Sequence, residues 1–383
     1  MPKNRPDREA PAEPEYSWGD CPGGQPDVAW EHAARQVWAQ SLPASGAVLL
    51  MEKERLLVRE AADGAVRWEA PSPALPDEVA VDAELACLAR GQELEALELA
   101  TGRRAWAQKL GGRVNTLGID PRHLYAAITQ RRPGPMFALS RADGRQEWRA
   151  PLEGEPEFYP FPERDLLVVS DPEQAVVQGF ATAGGARRWS LSAEGQPMVV
   201  GQANGDLLPI SGHEAGAMGV DLVSGQVRWR LENTGSVEEP GVSHGMLCYF
   251  TDGTAYAVDA LTGDRLWKRE PEGEERIFKL RVQGDLLFAE TWSGRLLALD
   301  PATGELRWER KVGQVHGLDG DAERLYLRVN TPEPEGRWLV LALDRATGKP
   351  AWELRARRMV PDLTLVGRTL VVEFRSAIVG LAV

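Results

Sequence analysis

The sequence has 383 residues, 43% of them hydrophobic and 26% charged, with a formal net charge of −13. That length asks for two or three ordinary domains unless the chain is built from repeats, and no apolar run approaches the roughly 20 residues that cross a bilayer as a helix. The negative sign excludes steering of the whole chain along a phosphate backbone, so neither nucleic acid nor membrane is an expected partner.

The chain opens on a polar, proline-rich stretch, "MPKNRPDREAPAEPEYSWGD". Residues 1–25 read as a disordered tail. The stretch lacks the apolar segment and small-residue cleavage site of a secretory signal, which gives a cytoplasmic expectation. Cys21, Cys87 and Cys248 lie far apart and form no CxxC, so neither a disulfide framework nor a zinc site is expected. Cys87 and Cys248 read as small buried hydrophobes.

From residue 26 onward one unit recurs. A copy ends at Trp68, then "LEALELATGRRAWAQ" starts at Leu94, and weaker copies end at Trp148 and Trp189. "MGVDLVSGQVRWRLE" follows from Met218, "YAVDALTGDRLWKRE" from Tyr256, "LLALDPATGELRWER" from Leu296 and "VLALDRATGKPAWEL" from Val340. In each copy a glycine stands four residues before a tryptophan. The pairs are Gly64 and Trp68, Gly102 and Trp106, Gly144 and Trp148, Gly185 and Trp189, Gly225 and Trp229, Gly263 and Trp267, Gly304 and Trp308, and Gly348 and Trp352. Successive tryptophans are 38 to 44 residues apart.

Within a unit the pattern is short alternating or apolar strands broken by turn residues, with no competing helical period. The seventh unit shows four, "IFKLRVQ", "LLFAE", "RLLALD" and "LRWER", labelled A to D. Four strands per period of about 40 residues is the pattern of a β-propeller blade. The expected fold is therefore all-β, a single closed propeller over residues 26–383. Asp300 ends strand C, Gly304 supplies positive φ for a hairpin with a bulge, and Thr303, like Thr101, Thr262 and Thr347, holds the turn through its hydroxyl. Trp308 offers a flat apolar face to the neighbouring blade and an indole N–H to a carbonyl.

After Trp352, "PDLTLVG", "TLVVEF" and "AIVGLAV" supply strands A, B and C of one more unit. Trp30, 38 residues before Trp68, fills the missing strand D. Closure of an N-terminal strand on C-terminal ones removes the open edges and gives nine blades. Eight is the alternative, since Pro26 stands where Trp30 should have its glycine.

The pattern A-x-D-x-x-T-G-x-x-x-W, here Ala298, Asp300, Thr303, Gly304 and Trp308, resembles the pyrroloquinoline-quinone-like (PQQ-like) propeller repeat. That resemblance implies a fold and leaves function open. Quinoprotein dehydrogenases of this kind hold PQQ beside calcium under a disulfide between adjacent cysteines, which this chain lacks, so no enzyme is expected. The outer-membrane assembly propeller lipoprotein is a non-enzymatic scaffold. Cys21 has no apolar segment before it, so from that branch the scaffold role is carried over and the location is not. Sensor propellers imply the alternative, a module binding PQQ or a similar anion, with Lys279 and Arg281 on strand A as partial contributors; otherwise no cofactor is expected.

The histidines His32, His123, His213, His244 and His316 show no metal-ligand spacing. The loops carry more information. On the face formed by B–C and D–A connections fall Arg131 and Arg132, and Arg355, Arg357 and Arg358, with acidic loops at 153–157, 237–239 and 272–275. Trp292 in a B–C turn and Trp338 after the loop "NTPEPEG" add aromatic anchors of the kind that dominate interfaces, while Phe158 and Tyr159 open a strand beside an acidic loop. The expected function is a monomeric scaffold binding a protein partner on this face through Arg131, Arg132, Trp292, Trp338, Arg357 and Arg358. Nucleic-acid binding through the arginine loops is a lesser alternative.

Overall fold

The computed structural model describes residues 15–33, 37–129, 134–152, 154, 156–172, 174–192, 198–201, 203, 205–212, 216–231, 241–243, 245–273, 275–331 and 336–383. Within them run nine sheets, eight of four strands and one of five. They form a ring of nine blades. Neighbouring blades approach through their first strands, which therefore line the axis.

Blade 1 runs from Trp38–Leu42 to Val66–Pro71, and blade 8 from Gln314–Gly320 through Arg324–Asn330 and Trp338–Asp344 to Pro350–Ala356. Blade 9 takes Asp362–Val366, Thr369–Glu373 and Ala377–Ala382 from the end of the chain and Asp27–Ala33 from its start. Trp30 pairs with Gly380 on this composite sheet. The glycine missing before Trp30 now has a physical reason. Strand D of blade 9 does not follow strand C in the chain, so blade 9 has no C–D turn for a glycine to make.

Between blades, the tryptophan and the glycine of one unit serve different neighbours. The Trp308 indole N–H donates to the Arg345 carbonyl of blade 8 at 2.8 Å, and its ring lies where a Cβ on Gly348 would stand, 2.5 Å from Cε3. The same bond links Trp30 to Ala61, Trp68 to Leu99, Trp106 to Arg141, Trp148 to Thr182, Trp189 to Leu222, Trp229 to Ala260 and Trp267 to Pro301, at 2.6 to 3.2 Å. The glycine thus meets two demands, a positive φ of 66° at Gly348 and room for the preceding blade's indole. The alanine of the repeat is explained by register: Ala298 is the cross-strand partner of Trp308, just before the bulge.

Strand-C aspartates close the turns. Asp300 Oδ1 accepts from Ala302 N and Thr303 N, and Thr303 Oγ1 accepts from Glu305 N. At Asp221 the Ser224 backbone bond and the Arg228 guanidinium draw the carboxyl down to about 2, against the opposing effect of burial. Cys87 and Cys248 are fully buried, which pushes both thiols up to about 12.

The expected tail ending at residue 25 needs correction at one point. Tyr16–Trp18 forms a fifth strand on the outer edge of blade 8, with Tyr16 opposite Ala356 and Trp18 opposite Leu354. The aromatic rings supply burial that the proline-rich composition conceals. No helix among the described residues is long and apolar enough to cross a membrane.

Candidate functional site

Three of the largest exposed apolar side chains stand at the same end of the propeller, the end of the B–C and D–A connections. Trp292 is 68% exposed, Trp38 64% and Met359 57%. They belong to blade 7, blade 1 and the loop between blades 8 and 9, so they mark one arc. Singly exposed apolar side chains are ordinary on a protein surface, whereas several gathered on one arc point to a contact surface.

The Trp292 turn is fixed from several sides. Its N–H donates to the Arg276 carbonyl, and Gly294 N donates to the Thr291 carbonyl. The Thr291 hydroxyl accepts from Arg295 N. The Ser293 hydroxyl holds the Glu275 carboxyl below its ordinary range against burial, helped by Thr291 and by Arg295, 3.6 Å away. The indole rests on Phe278 with ring centroids 5.0 Å apart. Beside it opens a cleft of 260 Å³ between blades 7 and 8, lined by Trp292, Gly313, Gln314, Asn330 and Thr331. Gly294 and Gly313 let the blades meet there, since a Cβ on Gly294 would stand 3.0 Å from the Gly313 Cα.

Trp338 is half-buried and its ring lies 4.7 Å from that of His316. Arg357 and Arg358 are exposed in the loop that carries Met359. Trp38 stands over a second cleft, of 320 Å³, with Met51, Leu75 and Pro76. The structure places Trp292, Trp338, Arg357 and Arg358 at one end of the ring. Arg131 and Arg132 lie outside the described residues, as do the 237–239 loop and parts of the other two acidic loops. Trp38 and Met359 were missed. Their signal is position alone: both fall in or directly after a D–A connection.

The inner wall of blades 7 to 9 is polar. Arg281 Nε lies 3.4 Å from buried Glu290, and Arg328 donates to the Val360 and His316 carbonyls at 2.9 and 2.8 Å. Desolvation, then Arg328, Lys279 and Arg281, lower the His316 pKa. On blade 9, Asp362 and Glu373 face each other across the ladder, and burial with that like charge pushes Glu373 up to about 7. As a cradle for a multiply anionic quinone this set fits poorly, because both guanidiniums already have partners and a carboxylate pair lies close by. Phe158 packs into the contact between blades 3 and 4, and Tyr159 donates to Glu157 at 2.6 Å. Among the described residues no group of three His, Cys, Asp or Glu is placed to hold a metal ion.

A sequence model of the family described as outer membrane protein assembly factor BamB matches residues 90–238, 202–332 and 251–382. The chain belongs to the BamB family. The BamB of Bordetella pertussis is 30% identical over 146 residues, which is 34% of this chain and 37% of that protein. A quinohemoprotein alcohol dehydrogenase of Pseudomonas putida is 27% identical over 145 residues, 32% of this chain and 20% of the enzyme. The chain therefore spans well under half the length of the relatives it matches. The crystal structure of BamB from Moraxella catarrhalis superposes with a TM-score of 0.56 at 16% identity, covering 80% of this chain and 94% of that one. That likeness shows the propeller. The cytoplasmic expectation is overturned by the family: its members are named for the assembly of outer membrane proteins, and the polar opening of the sequence does not decide location.

Proposed function

We propose that this BamB-family propeller is a non-enzymatic scaffold that binds a protein partner in the assembly of outer membrane proteins through the arc from blade 7 to blade 1. The observation that carries the proposal is the shared exposure of Trp292, Met359 and Trp38 at one end of the ring, with Arg357 and Arg358 between them. Tryptophan and arginine over a rigid backbone are the usual anchors of an interface, and a sheet scaffold presents them without ordering cost on binding.

A chain carrying Arg131→Glu, Arg132→Glu and Trp292→Ala, with a second carrying Trp292→Ala, Met359→Ala and Arg358→Glu, tests the surface by pull-down of the purified partner. Loss of capture by the second chain, with at least partial loss by the first through the shared Trp292→Ala, supports the arc. Undiminished capture by both removes the surface. We propose no cofactor; calorimetric titration with PQQ, with and without calcium, should give no heat of binding.

A further inference from the structure

Eight of the nine blade tryptophans give their indole N–H to the next blade's C–D turn, and the ninth cannot. Trp352 is fully buried and its Nε1 finds no hydrogen-bond partner among the described residues. The reason is topological: blade 9 has no C–D turn to place a carbonyl over it. A buried donor left unpaired is destabilising.

What lies there instead is the N-terminal segment. Its backbone joins the edge of blade 8 by three ladder pairs, extended by Gly19 N to the Glu353 carbonyl at 2.8 Å and Arg357 N to the Glu15 carbonyl at 2.9 Å. Its alternate side chains enter one apolar cluster: Tyr16 stacks on Phe374 at 5.1 Å, and Trp18 meets Trp352 edge-on at 5.8 Å. Glu15 accepts from the Ser376 hydroxyl at 2.5 Å. The segment is seated like a bound peptide, an added strand whose backbone gives affinity and whose alternate residues give selectivity. A three-residue strand is at the short limit of what pairs stably, so this edge belongs to the parts of the fold that open most readily.

We infer that the outer edge of blade 8 is a recognition groove for an extended polypeptide segment with an acidic residue followed by aromatics at alternate positions, and that Glu15–Trp18 occupies it as an intramolecular stand-in. The occupant is a segment of a partner protein that pairs antiparallel to Pro350–Ala356 in place of Tyr16–Trp18. This groove lies on the rim of the ring, meets the loop face at Arg357, and does not rest on the loop-face proposal.

The test uses a fluorescent peptide of residues 15–24 with Cys21→Ser, read by anisotropy against full-length chains. A tethered competitor acts at an effective concentration near millimolar, so the wild-type chain should bind the peptide at least ~10-fold more weakly than a Tyr16→Ala, Trp18→Ala chain. A second variant, Ser17→Cys with Arg355→Cys on a Cys21→Ser background, joins residues that are register partners. It should bind no peptide when oxidised and recover wild-type binding on reduction, which keeps the test decisive even if the first variant folds poorly. Equal binding by wild-type and opened chains, binding by the oxidised chain, or binding of a peptide with both aromatics changed to alanine would overturn the inference.

Discussion

Replacing Gly348 by alanine tests the contact between blades most sharply, because two costs fall on one methyl group. At φ 66° an L-residue pays roughly 1 kcal/mol in the left-handed region. Its Cβ would also stand 2.5 Å from Trp308 Cε3, and overpacking of that kind costs about 1–3 kcal/mol. Gly367 separates the two costs, since its φ is 63° and nothing lies within 4 Å of its Cβ position. Urea unfolding should therefore show a loss of roughly 2–4 kcal/mol for Gly348→Ala and roughly 1 kcal/mol for Gly367→Ala. On a Trp308→Ala background the Gly348→Ala loss should fall to the value at Gly367, because the ring it struck is gone. Equal losses at the two glycines, or no coupling to Trp308, would refute the double role assigned to the repeat glycine.

Trp30→Phe forfeits the 2.6 Å bond to Ala61 and should cost about 1–2 kcal/mol more than Trp352→Phe, which removes an indole N–H without a partner among the described residues; paired urea titrations compare them. Glu373 takes up a proton more readily folded than unfolded, its pKa being pushed up to about 7, so its contribution to stability is present below the ordinary carboxylate range and is lost as pH rises through 7. Glu373→Gln should accordingly raise the thermal midpoint at pH 8, leave it unchanged at pH 4, and flatten the profile between. A maleimide at neutral pH should label Cys21 in the native chain and spare Cys87 and Cys248, whose thiols are fully buried; mass spectrometry counts the adducts.

The blades were legible because each unit states its own geometry. Gly304 and Trp308 mark the turn and the shelf, Ala298 marks the position opposite the indole, and their return every 38 to 44 residues favours nine blades over eight, the alternative that Pro26 before Trp30 left open. Trp30 at the right interval even disclosed the ring closure. The strand at Tyr16–Trp18 was hidden because its stabilisation comes from Phe374 and Trp352, more than 300 residues away in the chain, while its local composition reads as tail. The candidate surface was half legible. Trp292 interrupts a turn where other units have small or polar residues, but the exposure of Trp38 and Met359 depends on which way a strand start and a loop face. The Asp362 and Glu373 pair, set opposite each other only by register, leaves no mark in a linear pattern.

The central claim, that the arc from blade 7 to blade 1 carries the partner, is most directly tested by placing a photo-crosslinking residue at 292, 359, 38 and 261 in turn. Leu261 is 57% exposed in a C–D turn at the other end of the ring. The account predicts the same protein adduct from positions 292, 359 and 38 and none from 261; an adduct confined to 261, or shared equally by all four, would contradict it.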